Sequence, residues 1–229
     1  MKNSLAYIKI ILMLACFAFL AGFTHIRHKT KSIESVQIHY QQNKEIYIDE
    51  TSVNKLLIQN EKQIKNMPVE RLNLNLVETQ VEAHPMIENA EVYLNLDRTL
   101  HAVIKQRQPL ARVIGGEQYY IDSKGEKMPL SEHYSARVPI VLGLNEDDIP
   151  SVYKLINHVQ GDLFLKQNIT QIRAYPEGQF DLSFRNQNFK IFIGKAEQLN
   201  QKFMNFKAFY VKAEKDTLLN NYKRIDLQY

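Results

Sequence analysis

The feature that most constrains this chain is an apolar run close to its first residue. Residues 5–23 read LAYIKIILMLACFAFLAGF, nineteen residues among which only Lys9 is charged. A helix of that length crosses a hydrocarbon layer of ~30 Å. Lys9 lies about one turn inside, where its long side chain can reach the headgroups, and Tyr7 and Phe23 lie near the two interfaces. The run therefore predicts a transmembrane helix over residues 5–24.

Two alternative interpretations of the run are a cleaved signal peptide and a lipoprotein signal. A signal peptide needs a shorter apolar core and a small-x-small cleavage site, and residues 18–23 fit that pattern poorly. A lipoprotein signal would acylate Cys16, the single cysteine of the chain. Seven apolar or small residues follow Cys16, however, where a mature lipoprotein normally begins with a polar tether. An uncleaved anchor fits the run best.

The basic residues around the run give almost no preference for its orientation. Two lysines precede or enter it and three basic residues follow it closely, so the positive-inside rule is nearly balanced. A short tail before a first span, here residues 1–4, usually stays in the cytoplasm, and long downstream domains are translocated regardless of charge. We therefore expect a cytoplasmic N-terminus, a stalk over residues 25–33 and an extracytoplasmic remainder.

The composition of the chain is that of a globular protein. Of its 229 residues, 45% are hydrophobic and 24% are charged, and the net charge is +4. No block of five or six Lys and Arg residues occurs, so we expect no nucleic-acid partner. With one cysteine, an internal disulfide is impossible, and packing alone must hold the folded part together.

Strand and helix patterns alternate after the predicted stalk. They predict a strand over residues 36–40, a helix from Asp49 to about Asn60, a helix over residues 74–83, and a hairpin of strands over residues 90–96 and 100–107. The second helix ends at His84-Pro85, because the residue before a proline avoids the helical region. This order predicts two helices on one face of a three-stranded sheet.

The rest of the chain reads as many short strands with a few helices. The patterns predict a hairpin over residues 118–128, a strand over 139–144, a helix capped by Asp147 or Asp148, strands over 169–175, 179–184 and 189–193, a helix over 197–212, and a last strand over 224–229. We expect a mostly antiparallel β domain with flanking helices, and an α+β chain as a whole.

A search for catalytic or metal-binding patterns finds none that is specific. The seven histidines have no partner at metal-ligand spacing, and no nucleophile elbow, glycine-rich phosphate loop or HExxH motif occurs. The pair Asp147-Asp148 fits a helix cap, and Asp122 lies in the turn sequence DSKG. We therefore expect no catalytic residue, no cofactor and no metal site, and predict that the chain is not an enzyme.

Several segments resemble the FtsQ/DivIB family of bacterial cell-division proteins. Residues 84–92 and 106–111 are similar to the POTRA domain of that family, and the matching positions are Pro85, Ile87, Ala90, Val92, Arg107, Pro109 and Ala111. Residues 119–125 look like the first hairpin of the family's β domain, and residues 128–138 resemble its Bacteroidetes-type members. The final segment YKRIDLQY is similar to the family's terminal strand. Met86 and Gln228 depart from the pattern, which more often has an aromatic residue and an arginine there.

The resemblance implies a POTRA domain over residues 34–110 and a β domain over residues 111–229. It also implies a non-enzymatic divisome scaffold in the inner membrane at the septum, linking early and late division proteins through FtsB/DivIC-type and FtsL-type membrane partners. The partner edge would be the strand of Arg224, Ile225, Asp226, Leu227, Gln228 and Tyr229, because a sheet edge offers backbone groups to an added strand. The alternative is a membrane-tethered envelope-assembly factor or enzyme acting outside the cytoplasm.

The anchor and its orientation can be tested together with reporter fusions after residue 24 and at the C-terminus. Both fusions should report an extracytoplasmic location, because the apolar run is long enough to span and lacks a good cleavage site. A mature protein whose first residue lies near His25 would contradict the anchor.

Overall fold

The computed structural model describes residues 2–29, 32–41, 45–58 and 67–228, with backbone alone at residues 2–8, 23–29 and 58. The chain divides into two compact units. The first comprises Met1–Lys44 and Ile48–Gln106, and the second comprises Glu45–Tyr47 and Arg107–Tyr229.

The first element is the helix α1, which runs from Lys2 to Lys29. Its described side chains, those of residues 9–22 with Lys9 among them, are all exposed. In the part of the chain that the structure describes, no helix combines the length and apolarity needed to cross a membrane. The span over residues 5–24 stays a prediction, and the side chains of Tyr7 and Phe23 lie outside the described residues.

The remainder of the first unit has the predicted order of strand, helix, helix, strand and strand. Its elements are β1 (Ser35–Tyr40), α2 (Glu50–Ile58), α3 (Leu74–Glu82), β2 (Ile87–Leu94) and β3 (Thr99–Gln106). The described strands form a sheet in the order β1-β3-β2, in which β3 runs parallel to β1 and antiparallel to β2. The helices begin as their sequences predict, because Asp49 Oδ1 accepts the Ser52 N–H and Asn73 Oδ1 accepts the Leu76 N–H.

The core of the first unit lies between the two helices and one face of this sheet. Its central strand alternates, and Leu100, Ala102 and Ile104 are fully buried. The helices contribute buried residues at helical spacing: Val53, Leu57, Val77 and Val81.

The second unit contains one larger sheet and three helices among its described residues. The elements are β4 (Pro109–Ile114), β5 (Tyr119–Asp122), β6 (Lys127–Met128), β7 (Ile140–Leu142), α4 (Ile149–Gln160), α5 (Leu163–Asn168), β8 (Ile169–Tyr175), β9 (Gln179–Phe184), β10 (Lys190–Lys195), α6 (Leu199–Lys215) and β11 (Arg224–Asp226). The described strands are ordered β11-β10-β9-β8-β7-β4-β5-β6.

Four of the seven described strand pairs of this sheet are antiparallel, in agreement with the predicted mostly antiparallel domain, and three are parallel. The pairs β4–β7, β7–β8 and β10–β11 are parallel. Parallel neighbours need a crossover connection. The helices α4 and α5 connect β7 to β8, and α6 connects β10 to β11. Helix patterns between two strands indicated such crossovers, but the sequence did not reveal which strands pair.

The strand β4 was not predicted, because the predicted boundary between the domains, at residues 110 and 111, falls within it. The preceding strand β3 ends at Gln106, and Pro109 begins a new strand that runs to Ile114. A proline fits the first residue of a strand, where its missing N–H costs least.

The short helix α5 was also not predicted, and the cap of α4 differs from the expectation. Asp148 precedes α4, but its side chain makes no capping hydrogen bond. A 3₁₀ turn over Glu146–Asp148 runs directly into α4, so the Asp148 backbone is already helical (φ −87°, ψ −6°) and its carboxylate does not have N-cap geometry.

The core of the second unit is built on one face of the sheet, and α6 contributes two of its phenylalanines. Phe203 and Phe206 are buried, while Tyr210 on the same helix is partly exposed. The Phe206 ring packs against that of Phe184, with centroids 5.5 Å apart and planes at 66°. Edge-to-face packing of this kind adds to the stabilisation from burial.

Replacing Phe206 with alanine tests how far the fold depends on this cluster. Phe206→Ala should lower the free energy of unfolding by about 3–5 kcal/mol, because it leaves a cavity between α6 and the sheet. Chemical denaturation followed by far-UV circular dichroism measures the change. Met204→Ala on the exposed side of the same helix is the control, with an expected change within about 0.5 kcal/mol. Equal effects of the two substitutions would contradict this description of the core.

Candidate strand-binding site

The strand β11 lies at one end of the larger sheet. Among the described residues it pairs with β10 alone, and the other end of the sheet is the two-residue strand β6. The predicted strand extended to Tyr229, but β11 ends at Asp226. The Asp226 carboxylate accepts the N–H of Gln228 at 2.9 Å, an Asx-type turn that takes the chain out of strand geometry. Tyr229 lies outside the described residues.

The backbone of β11 divides its hydrogen-bonding groups between two sides. The Leu227 N–H donates to the Phe192 carbonyl at 2.8 Å, and the Lys190 N–H donates to the Lys223 carbonyl at 3.0 Å. Successive residues of a strand direct these groups to opposite sides. The N–H and C=O groups of Arg224 and Asp226 therefore point away from β10, toward a side on which no described strand lies.

The side chains of this segment also alternate. Ile225 and Leu227 are buried in the core of the second unit, while Arg224, Asp226 and Gln228 are exposed. The strand is therefore fixed to the sheet through its inner face and its β10 side, which leaves its outer face and its free side accessible.

The outer face next to β11 carries an aromatic ring and charged groups. The Arg224 guanidinium lies over the Phe192 ring, 4.0 Å from the centroid, a favourable cation–π distance. One strand further, the Tyr175 hydroxyl donates to Asp181 Oδ2 at 2.8 Å, and this bond raises the pKa of Tyr175 above its usual value. An open cavity of about 430 Å³ lies among Tyr175, Asp181, Phe192 and Arg224. These groups can contact side chains of a segment bound at the edge.

Gly194 lets the end of the chain lie close to β10. Its φ of +64° is in the left-handed region, and the β9–β10 register shifts between Phe192 and Gly194. A Cβ at this position would lie 3.1 Å from Gln228 Cγ. Glycine therefore satisfies both the bulge and the close approach of residue 228.

The residues that match the family's POTRA pattern serve in the packing and turns of the fold. Pro85 lies in the turn between α3 and β2, and Ile87, Ala90 and Val92 are buried on β2. Pro109 and Ala111 are buried on β4. They identify the fold, and the structure does not bring them to the β11 edge.

Arg107 and the turn residue Asp122 form an ion pair within the second unit. Arg107 Nη1 lies 3.1 Å from Asp122 Oδ2 and 2.6 Å from Glu126 Oε2. The buried Asp122 also accepts the N–H groups of Lys124 and Glu126 at 2.9 and 2.8 Å. These bonds fix the β5–β6 turn, so the carboxylate has a structural role.

Sequence reasoning missed the residues of the outer face: Tyr175, Asp181 and Phe192. A signal for Phe192 was present, because Ile191 and Ile193 already occupy the inward positions of the strand. A large apolar residue between them indicates that the other face is also covered at that point. Within the described residues, no cluster of three or more His, Cys, Asp or Glu side chains could hold a metal ion.

Comparison with known proteins agrees with this division of the chain. A family model for a POTRA-like domain matches residues 30–105. The family model "FtsQ/DivIB, C-terminal related" matches residues 108–229. Over 79 residues the chain is 34% identical to the cell division protein FtsQ of Geotalea daltonii, a match that covers 34% of this chain and 29% of that relative.

The fold and these matches define a protein that joins a POTRA-like domain to a C-terminal α+β domain. More than half of the chain matches the C-terminal family model. The chain belongs to the FtsQ/DivIB family.

The role of Gly194 at the edge can be tested with Gly194→Ala. The substitution should lower the free energy of unfolding by about 1–2 kcal/mol, because alanine is strained at positive φ. It should also speed amide exchange at Leu227, because Gln228 must move away from the new methyl group. Denaturation and hydrogen exchange measure the two effects.

Gly116→Ala is the matched control, since a Cβ there meets nothing within 4 Å. A Gly194 variant that behaves like this control would show that the bulge does not fix the end of β11.

Proposed function

We propose that this protein is a non-enzymatic scaffold of the bacterial divisome. Residues 5–24 anchor it in the inner membrane with a cytoplasmic N-terminus, and the rest of the chain is periplasmic. At the septum it links early and late division proteins through protein–protein contacts. Membership of the FtsQ/DivIB family supports this function, as does the similarity to a relative that is a cell division protein.

The observation that carries the proposal is the free side of β11. The backbone groups of Arg224 and Asp226 point to that side, and no described strand pairs with them. Unpaired edge groups are a template for strand addition. The edge lies in the part of the chain that the C-terminal family model matches, residues 108–229.

The partner in this mechanism is an extended segment of an FtsB/DivIC-type or FtsL-type membrane protein. Its backbone pairs with Arg224 and Asp226, which supplies affinity without regard to sequence. Its alternate side chains contact the outer face beside Phe192 and Arg224, and these contacts supply specificity. Residues 224–229 form the binding segment, with Tyr229 as an aromatic contact at its rim.

In this proposal the two domains have different roles. The POTRA domain, which the sequence predicted over residues 34–110 and whose compact unit ends at Gln106, follows the stalk of residues 25–33 and lies closest to the membrane along the chain. The β domain, residues 111–229, carries the partner edge. Pro109 and Arg107 lie close to the join between the domains.

Asp226→Pro tests the edge directly. The ring removes one outward N–H and obstructs an added strand, so co-purification of the small division partners should be lost. Folding should be largely retained, because the lost donor makes no bond to β10. Gln228 is a poorer test position, since its N–H is already bonded to Asp226.

Asp226→Ala is the matched control, since it removes the same carboxylate and keeps the N–H. We expect this variant to capture the partners. Co-purification with a folded Asp226→Pro protein would refute the edge. Loss of capture in both variants would instead assign the interaction to the carboxylate.

A further inference from the structure

The first unit also has an edge strand, but two of its outward donors are occupied. In the sheet order β1-β3-β2, the strand β2 pairs with β3 alone among the described strands. The Val92 N–H donates to Glu78 Oε1 at 2.7 Å, and the Ala90 N–H donates to Glu82 Oε1 at 3.0 Å. Both carboxylates belong to helix α3, so the edge is covered by side chains and not by another strand.

The two hydrogen bonds form together because the spacing of Glu78 and Glu82 along the helix matches the spacing of Ala90 and Val92 along the strand. Residues 78 and 82 are one helical turn apart, which places them about 6 Å apart along the helix. Ala90 and Val92 are two residues apart in a strand and therefore about 6.8 Å apart, with their N–H groups on the same side. The side chain of Asn89 also donates to Glu82 Oε1, at 2.7 Å.

A carboxylate at this position excludes a partner strand. Each Glu oxygen occupies the place where the carbonyl of an added strand would accept the N–H. A hydrogen bond to a carboxylate is also stronger than one to a neutral carbonyl. An incoming strand would therefore exchange two charge-assisted bonds for two ordinary ones.

The strand β2 would otherwise be a good template for addition. It has eight residues, more than β11, and its exposed positions include the large side chain of Tyr93. Long edges of this kind associate unless they are covered.

We propose that Glu78 and Glu82 lock the β2 edge of the POTRA-like unit against strand addition. While both carboxylates stay on Ala90 and Val92, β2 cannot pair with a partner segment or with a second copy of this chain. Withdrawal of the pair exposes two outward N–H groups and opens the edge. The lock concerns the first unit alone and is independent of the function proposed for β11.

The test compares the full-length chain with the double variant Glu78→Ala/Glu82→Ala in detergent, under reducing conditions because Cys16 is a free thiol. Residue-resolved hydrogen exchange reports on the amides of Ala90 and Val92, and light scattering gives the molar mass. In dilute solution both amides should exchange roughly tenfold faster or more than in the parent chain. At higher concentration the variant should self-associate, and protection of the two amides should return.

Thr79→Ala, at an exposed position of the same helix, is the control and should leave exchange and molar mass unchanged. Parent-like protection of both amides in the double variant would overturn the lock. Faster exchange without self-association would overturn it as a barrier to strand addition.

If the double variant does not fold, the two single variants test which carboxylate protects which amide. Glu78→Ala should expose Val92 and leave Ala90 protected, and Glu82→Ala should do the reverse. Single variants that change neither amide, or both amides equally, would refute the assignment. In the pair Glu78→Gln/Glu82→Gln, the neutral amide oxygens still accept both bonds, so the molar mass should match that of the parent chain. Self-association of this pair beyond that of the parent would count against the lock.

Discussion

The N–H and C=O groups on the free side of an edge strand need hydrogen-bond partners, and this requirement links the main features of the protein. The two units meet it differently. In the second unit, Arg224 and Asp226 direct their backbone groups outward from a short strand. In the first unit, Glu78 and Glu82 accept the outward N–H groups of a longer strand. The edges that can bind another chain follow from this difference.

The accessible edge depends in turn on a core built on one face of its sheet. The helices α4, α5 and α6 all pack on that face, and Ile225 and Leu227 enter the same core. This burial holds β11 in place through its inner side chains. The core does not use the free side of β11, because Ile225 and Leu227 enter it from the inner face alone.

Most of the helices and strands were predictable because they depend on local periods. The strands β8 and β9 have the predicted bounds, and the helices of the first unit begin at their capping residues. The misses have local causes as well. Pro109 concealed β4 because a proline can begin a strand as readily as it can end one. Asp148 does not cap α4 because a 3₁₀ turn runs directly into that helix.

The candidate site was predictable as a segment but not as a surface. The resemblance of the last residues to a family pattern located the strand, and alternation indicated which of its side chains face inward. Neither revealed Phe192 beneath Arg224, because this pair joins strands that are far apart in the sequence. The Tyr175–Asp181 bond joins the consecutive strands β8 and β9, and no pattern in the sequence indicated it.

The sequence by itself therefore determined most of the elements and their order, the α+β class, the family and the apolar run at residues 5–23. These follow from periodicity, capping residues and motif spacing, which act over a few neighbouring residues. Tertiary structure alone decided the strand order, the parallel pairs and the carboxylates on β2. Each of these depends on which groups from different parts of the chain come together. A hydrogen bond between such groups produces no periodic pattern in the sequence of either segment.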